Sequence, residues 1–141
     1  MSNGIGNANT FWIQAGAMSG GPRHQVEFSN DLAQFFDDTS RENEIVTIRL
    51  PNGQEVARPL TYRGTDYDQW TDIWRLGLPT ERMGGPQYAG RYIRFDRLGE
   101  ARYQLTVEDA GSPAVAQWRQ NSQVTDNTGA AQGREYGYWL A

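Results

Sequence analysis

The residue types that carry most enzyme chemistry are scarce in this sequence. His24 is its one histidine, and cysteine and lysine are absent, so a Ser–His–Asp arrangement would have to use His24. Many nucleases hold Mg²⁺ with an Asp followed by a Glu-x-Lys motif, and this motif is absent because the chain has no lysine. Acidic pairs occur at Asp37–Asp38 and at Asp66 and Asp68, but such acids are more often solvated or helix-capping than metal-binding. The sequence predicts neither a catalytic site nor a bound metal or cofactor.

Other sequence signatures of enzymes and metal sites are missing as well. The chain has no Gly-x-Ser-x-Gly elbow, and its glycine-rich stretches lack the lysine of a P-loop and the strand-to-helix setting of a dinucleotide site. Without cysteine there is no disulfide and no cysteine-based zinc site.

The first of two segments that fit base recognition is a polar loop leading into a strand. Glycine lets a backbone approach a phosphate closely, and Arg, His and Gln side chains offer the donors and acceptors that read base edges. The alternative interpretation is an ordinary surface loop. The candidate residues are Ser19, Gly20, Gly21, Arg23, His24 and Gln25.

The second segment, residues 63–75, mixes aromatic and polar residues without an apolar period. Arginine can take guanine O6 and N7, glutamine can pair with adenine, and aspartate can accept from cytosine N4. The alternative is a long solvated loop that Trp70 and Trp74 anchor to the core. The candidate residues are Arg63, Thr65, Asp66, Tyr67, Asp68, Gln69, Trp70, Asp72 and Arg75.

The overall charge does not by itself favour nucleic acid. The net charge is −4, whereas nucleic-acid binders are usually basic. All 13 basic residues are arginine, whose planar fork matches guanine edges and phosphates. A GC-rich genome would produce the same usage, so composition leaves the question open.

Alternating patterns predict the elements that would position these loops. Strands are expected at 11–14, 24–28, 44–50, 54–62, 90–97 and 102–108, with a hairpin turn at Pro51-Asn52-Gly53. One short helix is expected at 30–36, and a second one after Ser112-Pro113, a typical helix start. Seven or so short strands and two short helices favour a barrel or pseudobarrel.

The length of 141 residues fits one domain. We expect a loose start at 1–10, a barrel at 11–119, and a linker-like tail at 120–141 in which Tyr136–Trp139 docks on the barrel or adds a strand. No apolar run approaches 18 residues, so neither a membrane span nor a secretory signal is predicted.

Several short motifs together resemble a known family. Gly20-Gly21, His24-Gln25-Val26 and the amphipathic stretch 32–36 resemble the start of the N-terminal effector domain of EcoRII-type (Type IIE) restriction endonucleases. Ala57-Arg58, Tyr62-Arg63, 73–77 and 89–95 resemble later parts of that domain. The similarity covers roughly residues 11–108.

The resemblance implies the DNA-binding pseudobarrel of the plant "B-three" transcription factors, a seven-stranded open barrel with two short helices. Such a domain grips the major groove between two arms, which would be residues 19–25 and 63–75 here. His24 carries over as a base or phosphate contact. In the second arm, Asp66, Asp68 and Asp72 stand where the family has basic residues.

The resemblance also implies a function. We expect sequence-specific binding of a short, nearly palindromic double-stranded DNA site of the CCWGG kind, in the bacterial cytoplasm. The chain would be the non-catalytic effector domain, and a covalently linked nuclease domain beyond residue 141 would be the part that needs Mg²⁺. Two other readings stay open: a carbohydrate- or peptide-binding β module that uses exposed aromatic residues, and a small stand-alone enzyme.

Overall fold

The computed structural model describes residues 4–15, 25–36, 44–64, 73–122, 124–126 and 135–140. Nine strands of these residues form one sheet. The strands are β1 Thr10–Gln14, β2 Gln25–Ser29, β3 Glu44–Arg49, β4 Glu55–Gly64, β5 Ile73–Gly77, β6 Tyr92–Gly99, β7 Arg102–Glu108, β8 Val124–Asp126 and β9 Tyr136–Trp139. The helices are α1 Asn30–Ala33 and α2 Pro113–Asn121, with 3₁₀ turns at Gly4–Asn7, Gln34–Phe36 and Glu81–Met83.

The sheet is strongly curled. Its strand order is β2-β5-β4-β3-β7-β6-β1-β9-β8, so five strands separate β2 from β1. In a flat sheet these two strands would be about 29 Å apart. The rings of Phe28 on β2 and Phe11 on β1 instead lie with their centroids 6.1 Å apart. The sheet is therefore a half-barrel, and its core fills the concave side.

The expected mainly-β, barrel-like class is confirmed, but the expected count of seven strands is wrong for the described residues. The additional strands are β5 and β8. The alternation within β5, where Trp74 and Leu76 are buried, is only five residues long and follows the polar stretch 65–72, which hides it in the sequence. Strand β8 has three residues, too few to show a period.

An aromatic cluster holds the concave side together. Phe28 stacks on Phe36 at 5.7 Å, and Phe36 meets Tyr103 edge-to-face at 5.0 Å. Phe28 and Tyr103 lie on β2 and β7, and the 3₁₀ turn after α1 carries Phe36 into the barrel. The expected helix at 30–36 is thus a four-residue α-helix followed by a 3₁₀ turn. Arg97 fixes the turn because its Nη2 donates to the carbonyl of Phe35 at 2.8 Å.

The convex side has its own smaller core beneath α2. Trp12, Tyr92, Val115 and Trp118 are buried together there. The expected helix start is confirmed, since the Ser112 hydroxyl accepts from the amide of Ala114 at 3.1 Å and Pro113 begins the helix.

Strand β9 lies within the segment for which the sequence predicted a linker-like tail. It pairs antiparallel with β1 from Ile13–Tyr136 to Thr10–Trp139. The boundaries at residues 10 and 119 stay predictions. None of the helices in the described ranges is long and apolar enough to cross a membrane.

Of the described strand pairings, β3–β7 alone is parallel. Its register covers three residue pairs, Thr47–Arg102, Ile48–Tyr103 and Arg49–Gln104. The expected β3–β4 hairpin is confirmed, with Gly53 in the left-handed region at φ 93°.

Candidate nucleic-acid interface

The two predicted arms correspond to two connections, β1–β2 (residues 16–24) and β4–β5 (residues 65–72). Both connections lie outside the described residues. The predicted arm residues in these connections are Ser19, Gly20, Gly21, Arg23, His24, Thr65, Asp66, Tyr67, Asp68, Gln69, Trp70 and Asp72. Their flanking residues Gln25, Arg63 and Arg75 lie in described strands.

The strands that carry these connections are consecutive neighbours in the sheet, in the order β2-β5-β4. Gln25, where the first connection enters β2, pairs with Gly77 at the end of β5. Gly64, where the second connection leaves β4, pairs with Ile73 at the start of β5. The roots Gln25 and Gly64 thus lie at opposite ends of β5 and on either side of it. Four steps of about 3.4 Å along the strand and two spacings of about 4.8 Å across the sheet put them roughly 17 Å apart.

A β-bulge lies at the root of the second connection. Tyr62 pairs with Trp74 and Gly64 with Ile73, which leaves Arg63 as the extra residue on β4. A bulge bends its strand and increases the local twist. It therefore sets the direction in which the β4–β5 connection leaves the sheet.

Arg75 lies in the middle of β5 rather than in the connection. Its register partner on β2 is Glu27, and its Nε donates to Glu27 Oε2 at 2.8 Å. The side chains are 25% and 18% exposed, so water screens this pair only partly. The pair neutralises the one carboxylate of β2 midway between the two connection roots.

A second carboxylate, Glu55 on β4, is shared by two arginines. Nη2 of Arg102 lies 2.8 Å from Glu55 Oε2, and Nη2 of Arg49 lies 3.3 Å from the same oxygen. The hydrogen bond from Arg102, followed by that from Arg49, holds the pKa of Glu55 below its ordinary value. At this position two guanidinium groups therefore surround one carboxylate.

Arg58 differs from both of these arginines. It stands opposite the buried Val46 on the core-facing side of β4, and the residue is half-buried. Its Nε is fully buried, and in the described part of the chain this atom has no hydrogen-bond partner. A Cβ placed on Gly77 would lie 2.8 Å from Arg58 Nη2, so the guanidinium lies over Gly77, beside the root of the first connection.

A third group of charged and aromatic residues locks α2 and β9 together. The Arg94 guanidinium lies 4.9 Å from the Trp139 ring centroid and 5.5 Å from that of Trp118, and its Nε is 3.0 Å from Asp96 Oδ2. These contacts join three elements of the fold, so we assign the group to stability rather than to binding.

The sequence did not single out Arg58 as a site residue, although it lies in one of the motifs that carry the resemblance. The available signal was its position: on β4 it shares the alternation of Val56 and Leu60, where a charge is out of place. The described residues contain no group of three or more His, Cys, Asp or Glu that could hold a metal ion. Comparison with protein-family models and with curated protein sequences finds no match to this chain.

Proposed function

We propose that this chain is a sequence-reading double-stranded DNA-binding domain whose two arms are the β1–β2 and β4–β5 connections. The observation that carries the proposal is the position of their roots on β2 and β4, at the two ends of β5 and roughly 17 Å apart. The major groove of B-DNA is about 12 Å wide. Two polar connections rooted this close together can reach into one such groove.

The charge distribution on the supporting strands also favours the proposal. Strands β2, β4 and β5 contain two carboxylates, Glu27 and Glu55, and both accept hydrogen bonds from arginine. On these strands, from which the arms leave, arginine therefore offsets each negative charge although the whole protein is acidic. A local field of this kind decides whether DNA approaches, even on an acidic protein.

From the family resemblance we further propose that the half-barrel is a B-three-like pseudobarrel and serves as the effector domain of a Type II restriction endonuclease. Arm side chains read base edges, while backbone amides and arginines hold phosphates and fix the register. Such a domain binds one short site without cutting it, and its occupancy enhances cleavage by a nuclease domain elsewhere in the protein.

The test is a selection from random duplexes with the purified chain, followed by anisotropy titrations of the selected duplex over a range of salt. We expect a defined short site and an affinity that falls steeply with salt, because phosphate contacts release counterions. In the matched variant His24→Ala, the selected site should be bound about 1–3 kcal/mol less tightly.

Two outcomes would contradict this function. One is that no duplex is retained above a shuffled-sequence control at any salt concentration. The other is binding of glycans or peptides that is insensitive to salt. Cleavage by the chain alone in the presence of Mg²⁺ would show an enzyme rather than a binding domain.

A further inference from the structure

Among the arginines with described side chains, Arg58 alone has a buried nitrogen, its Nε, without a hydrogen-bond partner. Arg82 is exposed on the turn Glu81–Met83. The other arginines with described side chains all donate to carboxylates, to backbone carbonyls or to a tyrosine hydroxyl: Arg49, Arg75, Arg91, Arg94, Arg97, Arg102 and Arg119.

The described residues around the Arg58 guanidinium offer it little compensation. Tyr88 is close enough for the Arg58 charge to act on its phenol, but the Tyr88 hydroxyl donates to the carbonyl of Pro79 at 2.7 Å. Burial raises the pKa of Tyr88, and the charge of Arg58 lowers it in part, so the phenol is neutral at pH 7. Strand β5 contributes no carboxylate beside Gly77.

A buried Nε–H of arginine without an acceptor is costly for the protein alone. A buried donor without an acceptor loses its hydration and regains nothing, which costs about 1–3 kcal/mol and more for a charged group. An oxyanion with several oxygens removes that cost, because it accepts from two guanidinium nitrogens at once. Phosphate has this geometry.

The location of Arg58 indicates which phosphate. Its guanidinium lies over Gly77, and Gly77 is the register partner of Gln25, the last residue of the predicted first arm. We infer that Arg58 binds a DNA backbone phosphate at the root of the first arm and fixes the arm's register on the duplex. This inference rests on the proposed function, and it adds a phosphate contact outside both arms.

Gly77 makes the contact geometrically possible. A side chain there would collide with Arg58 Nη2 at 2.8 Å and with Pro59 Cδ at 3.1 Å. Since a guanidinium is the mobile end of a long side chain, it gives way before the strand does. Gly77→Ala therefore displaces the cation without removing its charge.

The experiment compares wild type, Arg58→Gln and Arg82→Gln in anisotropy titrations of the selected duplex at several salt concentrations. Arg82→Gln removes the same charge from an exposed position and is the matched control. In Arg58→Gln we expect an affinity loss of about tenfold and a slope of log K against log salt that is smaller by about 0.9. Arg82→Gln should keep the wild-type slope.

Two further variants separate position from charge. Arg58→Lys keeps a cation but loses the fork, so it should keep the slope and lose affinity. Gly77→Ala should lose affinity with the charge of Arg58 intact. Thermal melts of each variant report whether it is folded, and Arg58→Lys carries the test if Arg58→Gln is not.

A direct readout is the ¹⁵N resonance of Arg58 Nε during a titration with inorganic phosphate. A saturable shift that Gly77→Ala weakens supports the site. A flat titration together with equal salt slopes for Arg58→Gln and Arg82→Gln overturns it. Wild type that binds DNA with unchanged slopes in Arg58→Gln removes this inference alone. Wild type that binds no duplex removes the proposed function, and the DNA contact of Arg58 with it.

Discussion

Individual arginines differ in whether their guanidinium already has a hydrogen-bond acceptor within the protein. Arg75 already donates to Glu27 across β2 and β5, so a DNA contact by Arg75 requires its guanidinium to exchange a carboxylate for a base or a phosphate. Arg58 has no such competitor among the described residues. The structure therefore distinguishes a paired arginine, Arg75, from Arg58, although the sequence shows both only as basic residues.

This competition leads to a prediction about Glu27. In Glu27→Gln, the amide oxygen still accepts from Arg75, so the fold is kept, but one negative charge between the arm roots is removed. We expect duplex DNA to bind several-fold more tightly at low salt, with the gain fading as salt screens the charge. Anisotropy titrations at two salt concentrations measure it.

The matched control for this prediction is Glu100→Gln, which removes a charge from the exposed β6–β7 turn. Equal gains in both variants would show a net-charge effect rather than a local one. Weaker binding by Glu27→Gln would show that the carboxylate itself serves recognition.

At the scale of elements, α2 and β9 are tied by a network of three side chains. Arg119 Nε donates to Glu135 Oε2 at 2.7 Å, and the Tyr92 hydroxyl donates to Glu135 Oε1 at 2.8 Å. The hydrogen bond from Arg119 lowers the pKa of Glu135. The carboxylate therefore stabilises the folded protein above its unfolded pKa, and this contribution is lost as the pH falls through the lower folded value.

Glu135→Gln should reveal this contribution. We expect the variant to lose about 1 kcal/mol of unfolding free energy at pH 7, and the difference from wild type to shrink as the pH falls below 4.5. Urea denaturation at a series of pH values measures the difference, with Glu100→Gln as control. A difference that stays constant down to pH 2 would contradict the assignment.

The sequence predicts most elements because most strands have one buried face. Ile93 and Phe95 on β6, like Tyr103 and Leu105 on β7, are buried as their alternation requires. The sequence does not predict β5 because this strand has only five residues and follows a long polar stretch. It also does not predict the curl of the sheet, because the curl depends on contacts between strands that are far apart in the strand order. Among the predicted arm residues, the sequence could not foresee the pairing of Arg75 with Glu27, since it depends on strand register.

At the scale of the whole molecule, the C-terminal segment 120–141 contributes strand β9 to the sheet. Strand β9 pairs with β1, and Gly137 lies so close to Trp12 that a Cβ there would be 2.7 Å from the indole. Removing 123–141 would leave β1 with a free edge and uncover Trp12.

We expect this truncation to cost at least about 2 kcal/mol of unfolding free energy, because hydrogen bonds and apolar contacts are lost together. Thermal melts monitored by tryptophan fluorescence measure it, and removal of Ala141 alone is the control. An unchanged melting temperature would show that residues 123–141 contribute nothing to the stability of the fold.

The parallel ladder between β3 and β7 divides the sheet along a seam. On one side lie β2, β5, β4 and β3, and on the other β7, β6, β1, β9 and β8, each side joined within itself by antiparallel neighbours. Thr47 and Arg102 at the seam are more than fifty residues apart in the chain, so this pairing closes a long loop. The roots Gln25 and Gly64 lie on the same side, so breathing of the seam leaves the distance between them unchanged, whereas the other end of the first arm, at β1, lies across the seam.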